Sequence, residues 1–312
     1  MKRPILLTGK TGQVGSELLR LLPEFCVVVA PDRHELDLRN VNDIRRAVRE
    51  IRPNLIINAA AYTGVDAAEA QEDESYAINA TAPAVLAEEA KKIDAAIVHY
   101  STDYVFDGTK STPYQEADSV NPINVYGKTK LAGERAICMS RVPYLIFRTA
   151  WVYGTRGRNF LLTILRLAAE REDLKIVRDQ FGAPTWSRGI AEATVKILTG
   201  LGEQNSGWQP LVVPVSGIYH LTAAGETTWC DFARAILEEA VHLSTETEWL
   251  AKATRGRPLI ARKVVPITTG EYPTRALRPA FSVLSNESLI RTFGIALPDW
   301  RMQLHAVFMQ RQ

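Results

Sequence analysis

The sequence is short of the features that mark specialised proteins. Of 312 residues only 3 are cysteine. Cys26, Cys138 and Cys230 lie far apart and make an odd count, which fits neither a disulfide framework nor a cysteine metal cluster and suits a reducing compartment. Neither sign of charge dominates: 37 Lys+Arg face 35 Asp+Glu, a net +2. There is no basic footprint for nucleic acid. No apolar run approaches the ~20 residues of a membrane helix, and Ile5, Leu6 and Leu7 are too few for a secretory apolar region. The expectation is a cytoplasmic protein with no membrane partner. Internal repeats and low-complexity tracts are absent. What is present is average: 46% hydrophobic and 23% charged residues exclude disorder and collagen-like repeats. A chain of this length buries roughly 75% of its unfolded surface and is long enough for about two domains.

Short apolar runs alternate with helical segments through the first 200 residues. Strands are expected at 4–7, 26–30, 55–59, 96–102, 144–149 and 174–177, mostly unbroken Ile/Val/Leu runs of the kind found in parallel sheets buried on both faces. Helices are expected at 13–22, 41–51, 73–93, 125–138, 160–169 and 187–198. This order predicts right-handed βαβ units and a Rossmann-type doubly wound α/β sheet. A loop at 200–217 precedes a short strand at 218–222, a helix at 227–241, an irregular stretch at 259–280, and helices at 286–293 and 299–310. The expected division is a nucleotide-binding core over 1–150, with contributions from about 151–215, and a smaller substrate lobe over 216–312.

Gly9-Lys-Thr-Gly12-Gln-Val-Gly15 follows the first strand and opens the first helix. Glycines there permit a sharp turn and close approach to a pyrophosphate, and the helix N-terminus offers N–H groups to it. Asp32, at the end of the second strand, stands where an acid binds the adenosine ribose, while Arg33 could take a 2′-phosphate. NADH and NADPH both remain open. Tyr126 and Lys130 are separated by one helical turn and share a face. A phenol has a pKa of ~10, and a neighbouring ammonium favours its ionised form. The strand 96–102 delivers Ser101, Thr102 and Asp103 to the carboxyl edge of the sheet, where ligands bind. One strand-end hydroxyl with Tyr126 and Lys130 completes a carbonyl-reducing triad. Strand alternation admits only one of Ser101 and Thr102 to the cleft but does not say which. His99 reads as a core histidine, and the other histidines have no metal-ligand spacing.

The glycine turn, Asn58-Ala-Ala-Ala61, Ser101-Thr-Asp-Tyr-Val-Phe-Asp-Gly108 and Tyr126-Gly-Lys-Thr-Lys130 together resemble the extended short-chain dehydrogenase/reductases. With Arg148-Thr-Ala-Trp-Val-Tyr-Gly154, Asp179-Gln-Phe-Gly-Ala-Pro-Thr185, Tyr272-Pro-Thr and Arg278-Pro279, the closer likeness is to the dTDP-4-dehydrorhamnose reductase family, over nearly the whole chain. The resemblance implies NAD(P)H-dependent reduction of the C4 keto group of dTDP-4-dehydro-L-rhamnose. It implies that Gly9, Gly12, Gln13, Val14 and Gly15 cradle the pyrophosphate and that Asp32, Asp37 and Leu38 surround the adenosine. Ala59, Ala60, Ala61 and Tyr100 would lie under or against the cofactor. It further implies that Lys130 holds the nicotinamide ribose and lowers the Tyr126 pKa, that Tyr126 donates a proton, and that Thr102, rather than Ser101, binds the carbonyl oxygen. Asp103, Trp151, Thr63 and Val65 would face the sugar. Asn159, Gln180 and Thr185 would lie near the dTDP moiety. Magnesium is associated with the family, but no carboxylate site is evident, and a homodimer is left open.

The segment 243–263, with Trp249 and the cluster Arg255, Arg257, Arg262 and Lys263, looks longer than the family usually has. It reads as a solvated helix-loop, a lid or an oligomer contact. Two other readings stand beside the reductase: another sugar-nucleotide reductase or epimerase, which as an epimerase would keep its cofactor bound, and a non-catalytic regulatory subunit of the methionine adenosyltransferase type.

Overall fold

Five of the expected apolar runs form parallel strands: β1 (Ile5–Thr8), β2 (Val28–Val29), β3 (Leu55–Asn58), β4 (Ala96–Thr102) and β5 (Tyr144–Thr149). In this computed structural model, which describes residues 3–202, 207–241 and 247–310, they build a six-stranded sheet. Its order is Gly217–His220, β5, β4, β3, β1, β2. The order reverses between β1 and β3, and this is where open α/β sheets leave a crevice at the carboxyl ends of their strands.

Strand alternation divides the sheet's apolar side chains between two cores. Ile5, Leu7, Leu55, Ile57, Val98 and Phe147 pack with Leu18 and Ile190, from helices Gln13–Leu21 and Ser187–Leu201. Leu6, Ile56, Ile97 and Ile146 face Ile44, Val48, Leu86 and Ile137, from helices Val41–Ile51, Ala82–Lys92 and Val125–Ser140. Both faces are covered, which is why these strands read as unbroken apolar runs. The single long helix expected at 73–93 is instead Glu72–Tyr76, a wider turn over Ala77–Thr81, and Ala82–Lys92. At the bend Asn79 is buried and its side chain bonds the backbone of Tyr62 in both directions, an inserted tertiary contact of the kind that accompanies such bulges.

The run at 174–177 does not join the central sheet. Asp173–Val177 pairs in parallel with Lys263–Ile267 as a separate two-stranded ribbon, and all of its side chains but Leu174 stay at least partly exposed. The sixth place in the sheet goes to Gly217–His220, which pairs with β5. A third core lies beyond the sheet, where Phe232, Ile236, Trp249, Trp300, Leu304 and Phe308 pack on Leu161 and Leu165. Residues 203–206 of the expected loop and 243–246 of the expected insertion lie outside the described residues. The rest of that insertion contains the helix Glu248–Thr254. Its Trp249 is buried edge-on against Phe308, while Arg255 and Arg262 reach Glu170 and Glu172. Among the described residues, no helix is long and apolar enough to cross a membrane.

Beneath the sheet edge, Arg148 on β5 meets Glu134 in a two-point pair at 3.0 and 2.8 Å, with both side chains almost wholly buried. Removing one partner leaves an uncompensated buried charge. Glu134→Ala is therefore expected to lower the unfolding free energy by about 3–5 kcal/mol. Urea denaturation checks this, and a loss below about 1 kcal/mol, the range of exposed pairs, contradicts it.

Candidate active site

A cleft of about 720 Å³ opens at the carboxyl edge of the sheet. Its floor is the glycine turn. Gly9 has φ +76°, in the left-handed region, and a side chain there would run into the backbone of Ala59 and Ala60. A Cβ on Gly15 would collide with the Gly9 carbonyl, so Gly15 is buried behind the turn while Gly9, Gly12, Gln13 and Val14 line the cleft. The helix Gln13–Leu21 begins here with Gly12 as its cap and no side chain covering its first N–H groups. A turn without side chains on a helix N-terminus fits a pyrophosphate.

Asp32, Asp37 and Leu38 line one end of the cleft, Ala59, Ala60, Ala61 and Thr63 its middle, and Tyr100, Tyr126 and Lys130 the other end. Asp32 accepts from the backbone N–H groups of His34 and Glu35, and these bonds hold its carboxyl below the usual range. Arg39 grips Asp37 and lowers its carboxyl to about 2. Lys10, Arg33 and Arg158 add cationic groups to the lining. Ser101 and Thr149 line the cleft near Tyr126 and Lys130, and their hydroxyl oxygens are buried without a hydrogen-bond partner among the described residues. Unpaired buried hydroxyls of this kind fit a polar ligand that supplies the missing bonds.

The helix Val125–Ser140 presents Tyr126 and Lys130. Asn124 caps it by accepting from Gly127 N–H at 2.8 Å. Side chains on Gly127 and Gly133 would strike the carbonyls of Tyr104 and Asn79, so only glycine lets this helix lie so close. Burial pushes the Tyr126 phenol up to about 12, the neighbouring Thr102 hydroxyl opposing and the Asp103 charge adding to the rise. Lys130 is fully buried. Its Nζ donates to the Tyr100 carbonyl at 2.6 Å and lies 3.3 Å from His99 Nε2. Burial draws its ammonium down to about 8, with Glu134 opposing. Burial and the Asp103 charge thus keep the Tyr126 phenol protonated at neutral pH. That is the state a proton donor needs.

Thr102 is nearly buried, donates to Asp103 Oδ1 at 3.0 Å and accepts from Tyr104 N–H at 3.1 Å; of the two strand-end hydroxyls it is Ser101 that lines the cleft. The other Asp103 oxygen, Oδ2, is buried without a hydrogen-bond partner among the described residues, and burial raises the carboxyl to about 6. Trp151 has φ +46°, an uncommon conformation for a large side chain. It stacks on Trp229 with centroids 3.4 Å apart and planes 4° from parallel, above a glycine, Gly182, whose Cβ would strike the indole. Val65 opens the helix Val65–Ala68, and the next residue, Asp66, pairs with Arg278 at 2.7 Å. Asn159 caps the helix Phe160–Ala168 and donates to Gln13 Oε1 at 2.9 Å, which ties it to the cleft wall. Gln180 is buried and donates to Thr269. Thr185 reaches no surface: it is wholly buried, donating to the Ala183 carbonyl and accepting from Ala223 N–H. Trp229, Lys10 and Arg158 escaped the sequence reading. Lys10 lies inside the glycine motif and was findable, whereas nothing local links Trp229 or Arg158 to the site. Among the described residues no cluster of three or more His, Cys, Asp or Glu is arranged to hold a metal ion.

The parallel sheet, glycine turn and Thr102/Tyr126/Lys130 grouping define a Rossmann-type protein of the extended short-chain dehydrogenase/reductase class. Comparison with known proteins sharpens this. The family model described as the RmlD substrate binding domain matches residues 1–312. The chain is 49% identical over 298 residues to a dTDP-4-dehydrorhamnose reductase of Burkholderia thailandensis, covering 95% of each chain. It is 44% identical over 303 residues to one from Escherichia coli K12, covering 96% of this chain and 94% of the relative. A crystal structure of the Bacillus anthracis dTDP-4-dehydrorhamnose reductase in complex with NADP superposes with a TM-score of 0.85 at 32% identity, covering 100% of both chains. The chain belongs to the dTDP-4-dehydrorhamnose reductase family, a family of oxidoreductases.

Two expectations follow from this geometry. Trp229→Leu should abolish the far-ultraviolet exciton signal of the stacked pair and destabilise the chain by about 0.5–1.5 kcal/mol beyond the lost burial; an unchanged circular dichroism spectrum contradicts the stack. For Asp103, whose folded carboxyl is raised, the folded chain holds the proton more tightly than the unfolded one. Its contribution to stability therefore falls as pH rises from 3.8 through about 6. Asp103→Asn should remove that part of the slope in denaturation curves measured across this window, and an unaltered slope contradicts it.

Proposed function

We propose that the chain catalyses the NAD(P)H-dependent reduction of dTDP-4-dehydro-L-rhamnose to dTDP-L-rhamnose in the cytoplasm. The observation that carries this reading is the placing of Tyr126 and Lys130 together in the lining of the cleft, on the helix beside the strand end that holds Thr102, in a chain so similar to reductases of that name. The reduced nicotinamide, when bound, supplies a hydride to the C4 carbon. The chain's residues handle the rest. Gly9, Gly12, Gln13 and Val14 bind the pyrophosphate at the helix N-terminus. Ala59, Ala60 and Ala61 leave room over the middle of the cleft. Lys130 holds the nicotinamide ribose.

As the carbonyl oxygen gains negative charge, Thr102 hydrogen-bonds it and Tyr126 transfers its phenolic proton to it. The new hydroxyl keeps that proton, and the phenolate left behind is stabilised by the nearby ammonium until solvent returns a proton. Asp103 and Trp151 face the sugar, with Trp229 behind Trp151. We read 1–150, supplemented by about 151–215, as the cofactor-binding part and 216–312 as mainly substrate-binding.

The test is oxidation of NADPH and NADH in the presence of dTDP-4-dehydro-L-rhamnose, set against other 4-keto nucleotide sugars. Tyr126→Phe should lower turnover by on the order of 10²–10⁴-fold while NADPH binding stays within about threefold of wild type, a change below 1 kcal/mol. Unchanged turnover in that variant overturns the mechanism. Tightly held cofactor with no requirement for added NADPH points instead to an epimerase, and no sugar-dependent oxidation at all to a binding subunit.

A further inference from the structure

Beneath the cleft, three polar side chains form one rung of the sheet, directly above an apolar layer. Thr8 on β1 is the register partner of Asn58 on β3, and Asn58 is the register partner of His99 on β4. One step back, the same face carries Leu6, Ile56 and Ile97, all in the apolar core. Thr8, Asn58 and His99 are each 2% exposed or less. Their side chains are joined end to end: Thr8 Oγ1 donates to Asn58 Oδ1 at 2.6 Å, Asn58 Nδ2 lies 3.1 Å from His99 Nδ1, and His99 Nε2 lies 3.3 Å from Lys130 Nζ. Thr8 and Lys130, at the two ends, both line the cleft. Burying polar groups in an apolar layer is unfavourable unless each is paired, and here each is.

We propose that Thr8, Asn58 and His99 form a positioning chain for Lys130, with His99 as the side-chain acceptor that fixes where the ammonium sits. The proposal rests on the reading of Lys130 as the group that holds the nicotinamide ribose. Proton counting makes it specific. An ammonium only donates, so His99 Nε2 must accept and the imidazole must carry its proton on Nδ1. Nδ1–H then needs an acceptor, so the Asn58 amide turns over from its orientation in the structure, giving its oxygen to Nδ1–H and its NH2 to Thr8 Oγ1. With the amide oriented as in the structure the chain runs the other way: Thr8 donates to Asn58 Oδ1, Asn58 Nδ2 to Nδ1, and Nε2–H to an uncharged Lys130. The His99 tautomer therefore reports the proton state of Lys130. With one of its donors held by His99 and another by the Tyr100 carbonyl, Lys130 directs its remaining donor at the cleft.

The test uses the intact protein. Nitrogen NMR of wild type with labelled histidines, assigned by His99→Gln, should show the Nδ1–H tautomer for His99 at pH 7; the Nε2–H tautomer overturns the proposal. NADPH affinity, measured by cofactor fluorescence, and kcat are then compared in four variants. His99→Leu and His99→Met, which have no acceptor, should each weaken NADPH binding by about tenfold, as expected for a lost hydrogen bond to a charged group. His99→Gln, whose amide oxygen can accept from Lys130, should recover most of the affinity. Lys130→Ala should lose both affinity and kcat. If Lys130→Ala binds NADPH and turns over like wild type, the underlying reading of Lys130 fails. If Lys130→Ala is impaired while the apolar His99 variants bind normally, or if His99→Gln is as damaged as His99→Leu, the positioning chain fails and that reading stands.

Discussion

The structure depends on keeping one ammonium ion, that of Lys130, inside an apolar sheet-and-helix layer. Taking such a charge out of water costs several kcal/mol, so its surroundings must satisfy it. The Tyr100 carbonyl does this at 2.6 Å, and that bond joins the helix Val125–Ser140 to β4. Other features serve the same approach. Gly127 and Gly133 let the helix close on the backbone at Tyr104 and Asn79, and Glu134, one turn beyond Lys130, opposes the loss of the proton. Tyr126 sits one turn before Lys130, and the helix that secures the ammonium thereby brings the phenol to the cleft.

How much of this was legible in the sequence follows from where the information resides. β1, β3, β4 and β5 were readable because burial on both faces demands unbroken apolar runs. The phosphate turn was readable because its glycines are needed for local reasons, a left-handed φ at Gly9 and a close approach at Gly15. Tyr126 and Lys130 were readable as an i,i+4 pair on a helix. The ribbon strand Asp173–Val177 was misplaced because its apolar residues resemble a sheet strand, while its partner Lys263–Ile267 lies far away in sequence. The bend at Ala77–Thr81 was invisible because it answers to Asn79 bonding Tyr62, a tertiary contact.

The site shows the same division. Residues expected at the cleft for reasons of backbone geometry line it, as Gly12 and Ala60 show. Thr185 does not line it, because two internal hydrogen bonds hold it inside the molecule. Trp229 was missed because its stack on Trp151 joins segments that carry no shared pattern. His99 looked like an ordinary core histidine, and burial indeed holds its pKa well below the usual value. Its contact with Lys130 appears only once β4 and the helix are packed together.

The near-balance of charge, 37 basic against 35 acidic residues, means that an anionic ligand is not drawn in by a global positive field. Its recognition rests on local devices: the open N-terminus of the helix Gln13–Leu21 and the cations Lys10, Arg33 and Arg158 at the cleft. The central claim is that this cleft brings a reduced nicotinamide to a sugar ketone beside Tyr126. The most direct test is transfer of deuterium from NADPH carrying it at the reactive C4 position, with the dTDP-sugar product examined by NMR. The account predicts one deuterium at sugar C4 for each NADPH consumed. A product without deuterium at C4, or epimerised sugar formed with no net consumption of NADPH, would contradict it.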